Sequence, residues 1–334
     1  MTETPSSSTV FAAFDGGGST TRALIASEDG KILAIGRSGP SNPNIVGTQA
    51  AARALQDAWS AAWVSVQLEA RAISAAYFGV AGAALWQLDG EAEELLGWLP
   101  RVSSATLQLD HDLSIALAGG LSGRPGIALI AGTGSAGFAR NDAQQTARCG
   151  GGGALLDDAG SGYWLGLAAL RETHRVLDAR NEPSGLSQAI VEATGARDAA
   201  SLLGWIHHTP TVEQRAKIAA LARIVLQQAR QGDMTARRFR DAGADELALI
   251  AVTLAKKLFP RTTPEITISG GLSQDSEYVE TVQLAVMDHL GSDVKIARPE
   301  HTPLVGALIL AFASLGKTVP ADVLSRADAL PGAS

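Results

Sequence analysis

The sequence predicts an α/β protein with two domains, and three observations carry this prediction. Short apolar runs typical of buried strands alternate with segments of helical periodicity, which favours an α/β architecture over an all-α or all-β one. The chain has 334 residues, about twice the ~150 residues of a typical domain. A buried strand followed by a glycine-rich turn and further strands occurs twice, starting at Val10 and at Gly126. This repetition indicates a weak internal duplication of an α/β unit, with two unrelated α/β domains as the alternative.

The first half of the chain begins as three strands and continues with alternating helices and strands. The pair Asp29 and Gly30 is typical of a short hairpin between the second and third strands. A stretch of helical periodicity without Gly or Pro follows. The predicted strands span 10–14, 21–26, 31–36, 72–80 and 106–109, and the predicted helices span 49–68, 85–98 and a segment from about 113.

The second half repeats the opening pattern and then becomes mostly helical. The predicted strands span 126–131, 137–140, 145–148, 264–269 and 294–297. A long helical region is expected over 163–260, interrupted near 181–185 and 207–211, and further helices over 277–290 and 302–315.

Composition excludes several classes of protein. Hydrophobic residues make up 46% and charged residues 18%, which is too apolar for a disordered chain. The net charge of −7 argues against a nucleic-acid partner, because such proteins present a basic face. The single cysteine, Cys149, excludes an internal disulfide framework. The polar first ten residues and the lack of a long apolar segment lead us to expect a soluble, cytoplasmic protein with no membrane partner.

The first glycine-rich turn is the strongest candidate for binding phosphate. Asp15 ends the first strand, and Gly16, Gly17, Gly18, Ser19 and Thr20 follow it. Consecutive glycines let backbone N–H groups converge on an anion, and the two hydroxyls add donors. Asp15 is placed where a phosphate-bound Mg²⁺ needs oxygen ligands or their water shell. A hairpin turn with an incidental Asp is the alternative.

The second glycine-rich turn, residues 132–137, matches the spacing G-x-G-x-x-G after a strand. A dinucleotide-binding fingerprint with this spacing must open a helix. Residues 138–142 are typical of a strand and a turn instead. A second phosphate loop therefore fits better than a nicotinamide dinucleotide site.

Four aspartates are candidates for acid–base chemistry. Asp110 and Asp112 follow a strand, and Asp157 and Asp158 lie in the glycine-rich run 150–162. A carboxylate at the carboxyl end of a strand points toward the usual ligand crevice of an α/β protein and can accept a hydroxyl proton as general base. The alternative for Asp112 is a helix N-cap, because a helix follows directly.

These segments together resemble the N-acetylglucosamine kinase and glucosamine kinase branch of the sugar-kinase, actin and Hsp70 superfamily, and the wider BadF/BadG/BcrA/BcrD ATPase group. The resemblance extends from Phe11 to about Leu315. Any one segment is a weak signal, but their order along the chain is that of the family. The segments that carry it are residues 15–20, 38–42, 111–118, 130–135, 150–162 and 269–273.

The resemblance implies two actin-like (ribonuclease H-like) domains, each with a mixed five-stranded sheet, and a central cleft. We expect an N-terminal domain over 1–120, a C-terminal domain over 121–300 and C-terminal helices over 301–334 that pack back on the first domain. The implied activity is ATP-dependent phosphorylation of the 6-hydroxyl of N-acetylglucosamine, glucosamine or both. The implied cofactors are ATP and Mg²⁺, and a homodimer is expected.

The resemblance also assigns roles to individual residues. Asp112 corresponds to the catalytic base, preferred to Asp110 because small residues follow it as in the family, and Asp15 to the metal site. The implied nucleotide-binding residues are Gly16, Gly17, Gly18, Ser19, Thr20, Gly132, Thr133, Gly134, Gly270 and Gly271. The implied substrate-binding residues are Asn42, Ser135, Gly151 and Asp158.

The sequence departs from the family in the sugar-binding run. Gly152 stands where amino-sugar kinases often carry Trp, and Asp157, Asp158 and Ala159 replace the usual Gly-Asp-Glu. The identity of the sugar therefore stays open, with N-acetylmuramic acid as a further possibility. With Cys149 alone, the chain cannot supply the cysteine pair of the iron–sulfur dehydratase activators. A non-catalytic sugar- and nucleotide-binding protein and a nicotinamide-dependent oxidoreductase are the remaining alternatives.

Overall fold

The computed structural model describes residues 9–66, 72–83, 96–208, 210–321 and 323–324. The predicted helix at 85–98 lies mostly outside these residues. The chain divides into two structural units, Met1–Arg124 with Pro299–Ser334 and Pro125–Arg298. Each unit contains one five-stranded sheet with both parallel and antiparallel pairs. The predicted α/β class with two mixed five-stranded sheets is therefore confirmed.

The strands and helices have the following bounds. The strands are β1 (Val10–Gly16), β2 (Thr21–Ser27), β3 (Ile32–Ser38), β4 (Ile73–Val80), β5 (Arg101–Asp110), β6 (Gly126–Ala131), β7 (Ser135–Arg140), β8 (Thr146–Gly150), β9 (Ile266–Ser269) and β10 (Ile296–Ala297). The helices are α1 (Pro43–Val46), α2 (Thr48–Val66), α3 (Asp112–Gly120), α4 (Gly153–Leu156), α5 (Gly162–Leu177), α6 (Gly185–Thr194), α7 (Ala199–His207), α8 (Thr211–Ala220), α9 (Ala222–Arg230), α10 (Met234–Leu258), α11 (Ser276–Leu290) and α12 (Pro303–Ala313).

The first sheet has the strand order β3-β2-β1-β4-β5. β1 is antiparallel to β2 and parallel to β4, which is in turn parallel to β5. The carboxyl ends of β1, β4 and β5 therefore meet at one edge of the sheet. Asp15 is in register with Gly79, and Gly79 is in register with Asp110. The register thus brings two of the acidic strand ends singled out in the sequence to the same edge.

Both faces of the first sheet are covered, because β1 alternates between two cores. Phe14 faces the core that α2 completes and stacks on Phe78, with ring centroids 4.2 Å apart. Phe11 faces the opposite core and stacks on Phe312 of α12 at 3.8 Å. Burial on both faces explains why β1 is a continuous apolar run in the sequence.

The helix that begins at Asp112 is fixed by a close helix crossing. A Cβ atom at Gly119 of α3 would collide with the backbone of Thr302, and one at Gly306 of α12 would collide with the carbonyl oxygen of Ile115. Only glycine permits the two backbones to approach so closely. α12 therefore holds α3 in place, and with it the first turn that carries Asp112.

The second sheet has the order β10-β9-β6-β7-β8. β6 is parallel to β9 and antiparallel to β7, so the loops that follow β6 and β9 leave from the same edge. The last strand is shorter than the sequence predicts, covering two residues rather than the segment 294–297. Its side of the core is supplied mainly by Val294, which is fully buried.

The helical region of the second unit has more interruptions than the sequence predicts. Besides the breaks expected near 181–185 and 207–211, α8 gives way to α9 at Leu221, and α9 ends before Gly232. Gly232 has φ +97°, a conformation that stops a helix, and the Asp233 side chain caps α10 by accepting from the Ala236 N–H at 2.8 Å. No helix among the described residues is long and apolar enough to span a membrane.

Candidate functional site

The first glycine-rich turn is the hairpin between β1 and β2. Gly16 pairs with Thr21, so residues 17–20 form the turn, closed by a hydrogen bond of 3.0 Å from the Gly17 N–H to the Thr20 carbonyl. Gly18 and Ser19 are exposed at its tip. The turn therefore presents backbone and hydroxyl groups directly beside the strand end that carries Asp15.

Asp15 is a carboxyl of this unit whose pKa is raised. Arg22, its partner in the hairpin register, donates from Nη1 to Oδ2 at 3.2 Å. Burial nevertheless raises the pKa of Asp15 from its usual 3.8 to about 6; the Arg22 charge opposes this shift, and the negative charge of Asp112 adds to it. Desolvated carboxylates that repel each other are stabilised by a cation between or beside them. This pair therefore defines the acidic part of the site.

Asp110 and Asp112 have different positions and partners. Asp110 ends β5, where its Oδ2 accepts from the Tyr77 hydroxyl at 3.0 Å and its Oδ1 accepts from the His111 N–H at 2.7 Å. Tyr77 also lies 3.3 Å from Ser114 Oγ. Asp110 is thus built into the junction between β5 and α3.

Asp112 is the first residue of α3, and the N-cap is His111. The alternative that Asp112 serves as the N-cap is therefore wrong, because the helix begins one residue earlier than the segment expected from about 113. A carboxylate in the first turn remains favourable for the helix dipole. The negative charge of Asp112 also helps to raise the pKa of Asp15.

The loop that carries Asn42 is attached to the first glycine-rich turn. The Ser41 N–H donates to the Gly17 carbonyl at 3.0 Å, and Thr21 Oγ1 donates to the Gly39 carbonyl at 2.7 Å. Asn42 caps α1 by accepting from the Asn44 N–H at 3.0 Å. The structure therefore brings Asn42, the first glycine-rich turn, Asp15 and Asp112 together in the first unit.

The second glycine-rich turn joins β6 to β7 and is held by α5. The Gly132 N–H donates to the Gly134 carbonyl at 2.9 Å across the turn. The first N–H groups of α5, those of Gly162 and Tyr163, donate to the carbonyls of Gly132 and Thr133 at 2.8 and 3.2 Å. These helix N–H groups would otherwise lack partners, so the turn and the helix satisfy each other.

Asp158 ties the glycine-rich run to the second turn. It is 3% exposed and adopts φ +60°. Its Oδ1 accepts from the Ser135 N–H at 3.1 Å, and its Oδ2 forms an ion pair with Arg215 of α8. The Ser135 hydroxyl donates to the Ala159 carbonyl at 2.7 Å. Two predicted substrate residues, Ser135 and Asp158, are therefore joined by a direct hydrogen bond.

The remaining predicted residues of the second unit lie close by. Gly270 follows β9 with φ +98°, and a Cβ atom there would lie 2.6 Å from the Ala131 carbonyl oxygen. Gly270 and Gly271 therefore lie against the second turn, at the shared edge of β6 and β9. Gly151 follows β8 with φ +73°, and its carbonyl accepts from Arg148 Nη2 at 3.2 Å. The segment after the second turn is the strand β7, so the helix that a dinucleotide fingerprint requires is missing.

Three partners of the predicted residues were not singled out in the sequence: Arg22, Tyr77 and Arg215. A signal existed for Arg22, because a hairpin centred on residues 18–19 places it opposite Asp15. Tyr77 and Arg215 reach their aspartates across 33 and 57 residues, and no local pattern points to such pairs.

The acidic pair fits a magnesium ion in its donor chemistry. Mg²⁺ is usually bound by one or two carboxylates together with substrate phosphates and water. Asp15 supplies such a carboxylate, Asp112 adds negative charge, and the hairpin turn next to them suits phosphate. Among the described residues no group of three or more His, Cys, Asp and Glu could hold a metal alone, so a metal here would depend on the phosphates as further ligands.

Comparison with known proteins identifies the class of protein. The model of the BadF/BadG/BcrA/BcrD ATPase family matches residues 14–311, and the chain belongs to this family. It is 29% identical to an N-acetylmuramic acid/N-acetylglucosamine kinase of Clostridium acetobutylicum, over 89% of this chain and 96% of that protein. It is 25% identical to an N-acetyl-D-glucosamine kinase of Dictyostelium discoideum, over 91% of this chain and 98% of that protein.

A solved structure agrees with this membership. A candidate N-acetylglucosamine kinase from Chromobacterium violaceum superposes with a TM-score of 0.72 at 28% identity, covering 92% of this chain and all of that one. The predicted enzyme class, an ATP-dependent kinase of the sugar-kinase type, is thereby confirmed.

Proposed function

We propose that this kinase transfers the γ-phosphoryl group of Mg²⁺-bound ATP to the 6-hydroxyl of an N-acetylated amino sugar. N-acetylglucosamine is the first candidate, with glucosamine as a second acceptor. The names of the two kinase relatives support N-acetylglucosamine, and one of them extends the choice to N-acetylmuramic acid. The 6-hydroxyl is the position that the family resemblance implies, and it is the primary hydroxyl of the pyranose.

The observation that carries this proposal is the pairing of Asp15 and Asp112 beside the first glycine-rich turn. Phosphoryl transfer requires a group that accepts the hydroxyl proton and a means of neutralising phosphate charge. In this unit the base is Asp112. Asp110, the alternative, is held in the junction between β5 and α3 by Tyr77 and the His111 N–H, whereas the charge of Asp112 acts on Asp15 beside the turn. Asp112 and Asp15 lie in different surroundings and can divide the roles of base and metal ligand.

The protein residues would act mainly by holding and orienting. Asp112 accepts the proton of the 6-hydroxyl, and Asn42 binds another hydroxyl of the sugar. Asp15 holds the ion, which supplies charge neutralisation to the transferred phosphoryl group when bound. In the first unit the turn at 16–20 suits phosphate. In the second unit the turn at 132–134 suits phosphate as well, and Gly270 and Gly271 leave room for an adenosine.

Asp158 has a second role besides the sugar contact inferred from the resemblance. Each of its oxygens already accepts one hydrogen bond or ion pair. A carboxylate oxygen has a further lone pair for a sugar hydroxyl. We therefore propose that Asp158 binds the sugar while it connects the sugar-binding run to the second phosphate turn.

An ADP-release assay with a sugar panel tests the function. The panel contains N-acetylglucosamine, glucosamine, N-acetylmuramic acid and glucose, and NMR of the product identifies the phosphorylated hydroxyl. We expect sugar-dependent ADP release with N-acetylglucosamine and a 6-phosphate product. N-acetyl-6-deoxyglucosamine is the matched control, because it keeps every other hydroxyl and should bind without being phosphorylated. A 3-phosphate or 1-phosphate product would refute the proposed position of the base.

A further inference from the structure

A groove in the second unit is lined by none of the predicted site residues. It runs between α5 and α7 and has a volume of about 260 Å³. Its apolar lining consists of Leu167, Leu170, Leu202, Leu203 and Ile206. Drug-sized ligands need pockets of roughly 300–1,000 Å³, so this groove suits a smaller molecule.

The groove has a basic rim. Its remaining lining residues are Arg171, His174, Arg175 and Arg180, and none of the lining residues is acidic. The chain as a whole carries a net charge of −7. A cavity wall with only basic charges is therefore a local reversal of the protein's overall charge, and it attracts anions.

Two of these arginines have no carboxylate partner within the described part of the chain. Asp178 lies 2.8 Å from Arg180 Nη2 and 3.4 Å from His174 Nδ1, so it compensates part of the charge. Arg171 and Arg175 are exposed and form no ion pair with any described residue. They lie one turn apart on α5, and their guanidinium groups can bind a carboxylate with two parallel hydrogen bonds.

The apolar lining lies on the same helix face as these arginines. Leu167, Leu170, Arg171, His174 and Arg175 of α5 follow each other at spacings of three and one, which places them on one face. Leu202 is 1% exposed and forms part of the core, whereas Leu203 is 50% exposed. An apolar surface bounded by these cations complements a molecule with an apolar body and one anionic end.

We propose that this groove binds a small monocarboxylate with an aliphatic or aromatic body. The carboxylate contacts Arg171 and Arg175, and the body covers Leu203 and its neighbours. The ligand removes apolar surface from water and forms charge-assisted hydrogen bonds. The proposal concerns a site separate from the sugar and nucleotide residues and does not depend on the proposed function.

Calorimetry of the whole protein with octanoate tests this site. We expect saturable one-to-one binding in the wild type. The double variant Arg171→Gln/Arg175→Gln should bind at least about ten-fold more weakly, because it loses the charge-assisted hydrogen bonds to the carboxylate. Arg223→Gln on α9 is the matched control, because Arg223 is exposed and outside the groove; it should bind like the wild type.

Further ligands separate the carboxylate from its body. Octanol lacks the charge and acetate lacks the body, so both should bind at least about ten-fold more weakly than octanoate. Tighter binding of octyl phosphate than of octanoate would overturn the choice of a carboxylate. Leu203→Glu adds a negative charge at an exposed position and should abolish octanoate binding without changing the melting temperature.

A second copy of the chain is the competing occupant. If the groove is a dimer contact, octanoate will not bind and Leu203→Glu will lower the mass measured by sedimentation equilibrium. That pair of results would overturn the proposal. Octanoate binding with an unchanged sedimentation mass in Leu203→Glu would support it.

Discussion

The two glycine-rich hairpin turns have the same place in their sheets but different surroundings. In the first unit, the half-buried Asp15 is the penultimate residue of β1, and the tip of the turn is exposed at Gly18 and Ser19. In the second unit, β6 ends on Ala131, and α5 donates two N–H groups to the carbonyls of the turn. The first turn therefore has the carboxyl of Asp15 beside it, whereas the second is held by hydrogen bonds from the first residues of α5.

The carboxylates of the two units differ in the same way. Asp15 and Asp112 interact with each other across the end of a sheet, at a cost in desolvation. Asp158 is more deeply buried than Asp15, and it is compensated by Arg215 and by a backbone N–H. Arg22 compensates the charge of Asp15 only in part, because the pKa of Asp15 is still raised to about 6. A carboxylate that is repelled by a second one suits chemistry, and one held by an ion pair and a hydrogen bond suits architecture. We therefore expect substitutions in the first unit to act mainly on turnover and those in the second mainly on stability and nucleotide affinity.

The largest effect is expected for Asp112→Asn. Removing the base should lower kcat by roughly 10²–10⁴-fold, while Asn keeps the size of the side chain, so the Kd values for sugar and ATP should change little. Single-turnover measurements with N-acetylglucosamine check the chemical step.

Asp110→Asn is the matched control for the base. It weakens the hydrogen bonds with Tyr77 and His111 and should lower stability by about 1–2 kcal/mol, with kcat within about ten-fold of wild type. If Asp110→Asn instead loses activity and Asp112→Asn keeps it, the base lies two residues earlier.

The next effect is expected for Asp15→Asn, which should reduce kcat/KM for Mg²⁺–ATP by about 10²-fold through loss of the charged ligand. Titration of Mg²⁺–ATP by calorimetry measures the binding part of this loss. An unchanged affinity for Mg²⁺–ATP together with unchanged turnover would exclude Asp15 from the metal site.

At pH 7.5, and in the absence of metal and nucleotide, Asp15→Asn should be more stable than wild type. The pKa of Asp15 rises from 3.8 to about 6 on folding, so the folded state binds this proton more tightly than the unfolded state. Stability is therefore greatest below pH 4 for this group and is lost as the pH rises toward about 6, at a cost of about 3 kcal/mol. Urea unfolding at pH 4, 5, 6 and 7.5 should show this slope in wild type and a smaller one in Asp15→Asn. Equal slopes would show that another group titrates.

A smaller effect on turnover is expected for Asp158→Asn in the second unit. The substitution weakens the ion pair with Arg215 and the bond to the Ser135 N–H, at a cost of about 1–3 kcal/mol in stability. We expect the KM values for the sugar and for ATP each to rise by less than about ten-fold and kcat to stay near wild type. A loss of kcat as large as that of Asp112→Asn would remove the distinction between the two units.

The smallest effect is expected for Gly152→Trp, a test of substrate preference. Gly152 is exposed, and Asp157 Oδ2 accepts from its N–H at 3.3 Å. An indole here could contact the N-acetyl methyl, whose burial is worth about 0.8 kcal/mol, so kcat/KM should shift toward N-acetylglucosamine over glucosamine by only about four-fold. In wild type we expect the two values to lie within roughly two orders of magnitude. Gly152→Ala is the control and should leave the ratio unchanged.

Much of this fold follows from local patterns, and the exceptions have physical reasons. The continuous apolar run of β1 and the turn after it could be predicted because burial on both faces leaves a clear signal. β10 was predicted too long because apolar residues such as Val294 can be buried without pairing in a sheet. The break at Gly232 was missed although Gly followed by Asp is a readable stop and start signal.

The candidate site was predictable to a different degree in each unit. Asp15 and the two glycine-rich turns are contiguous in sequence, so their positions could be predicted directly. Asp110 ends β5 and Asp112 begins α3, only two residues later. The sequence alone does not show which of the two carboxylates accepts the hydrogen bond from Tyr77. The pairing of Asp158 with Arg215 depends on how α8 packs within the second unit, and a single sequence contains no local trace of it.

Because Phe312 stacks on Phe11, the core of the first unit needs residues that are about 300 positions apart in the sequence. This separation determines the order in which the two units can fold during synthesis. The second unit is continuous from Pro125 to Arg298 and can bury its core as soon as that stretch has left the ribosome. The first unit starts earlier but lacks α12 until the last part of the chain emerges, and until then the face of β1 that carries Phe11 stays in water. A nascent chain that has emerged only as far as residue 298 would therefore hold a finished second unit and an unfinished first one, with the helix that begins at Asp112 still unsupported by α12.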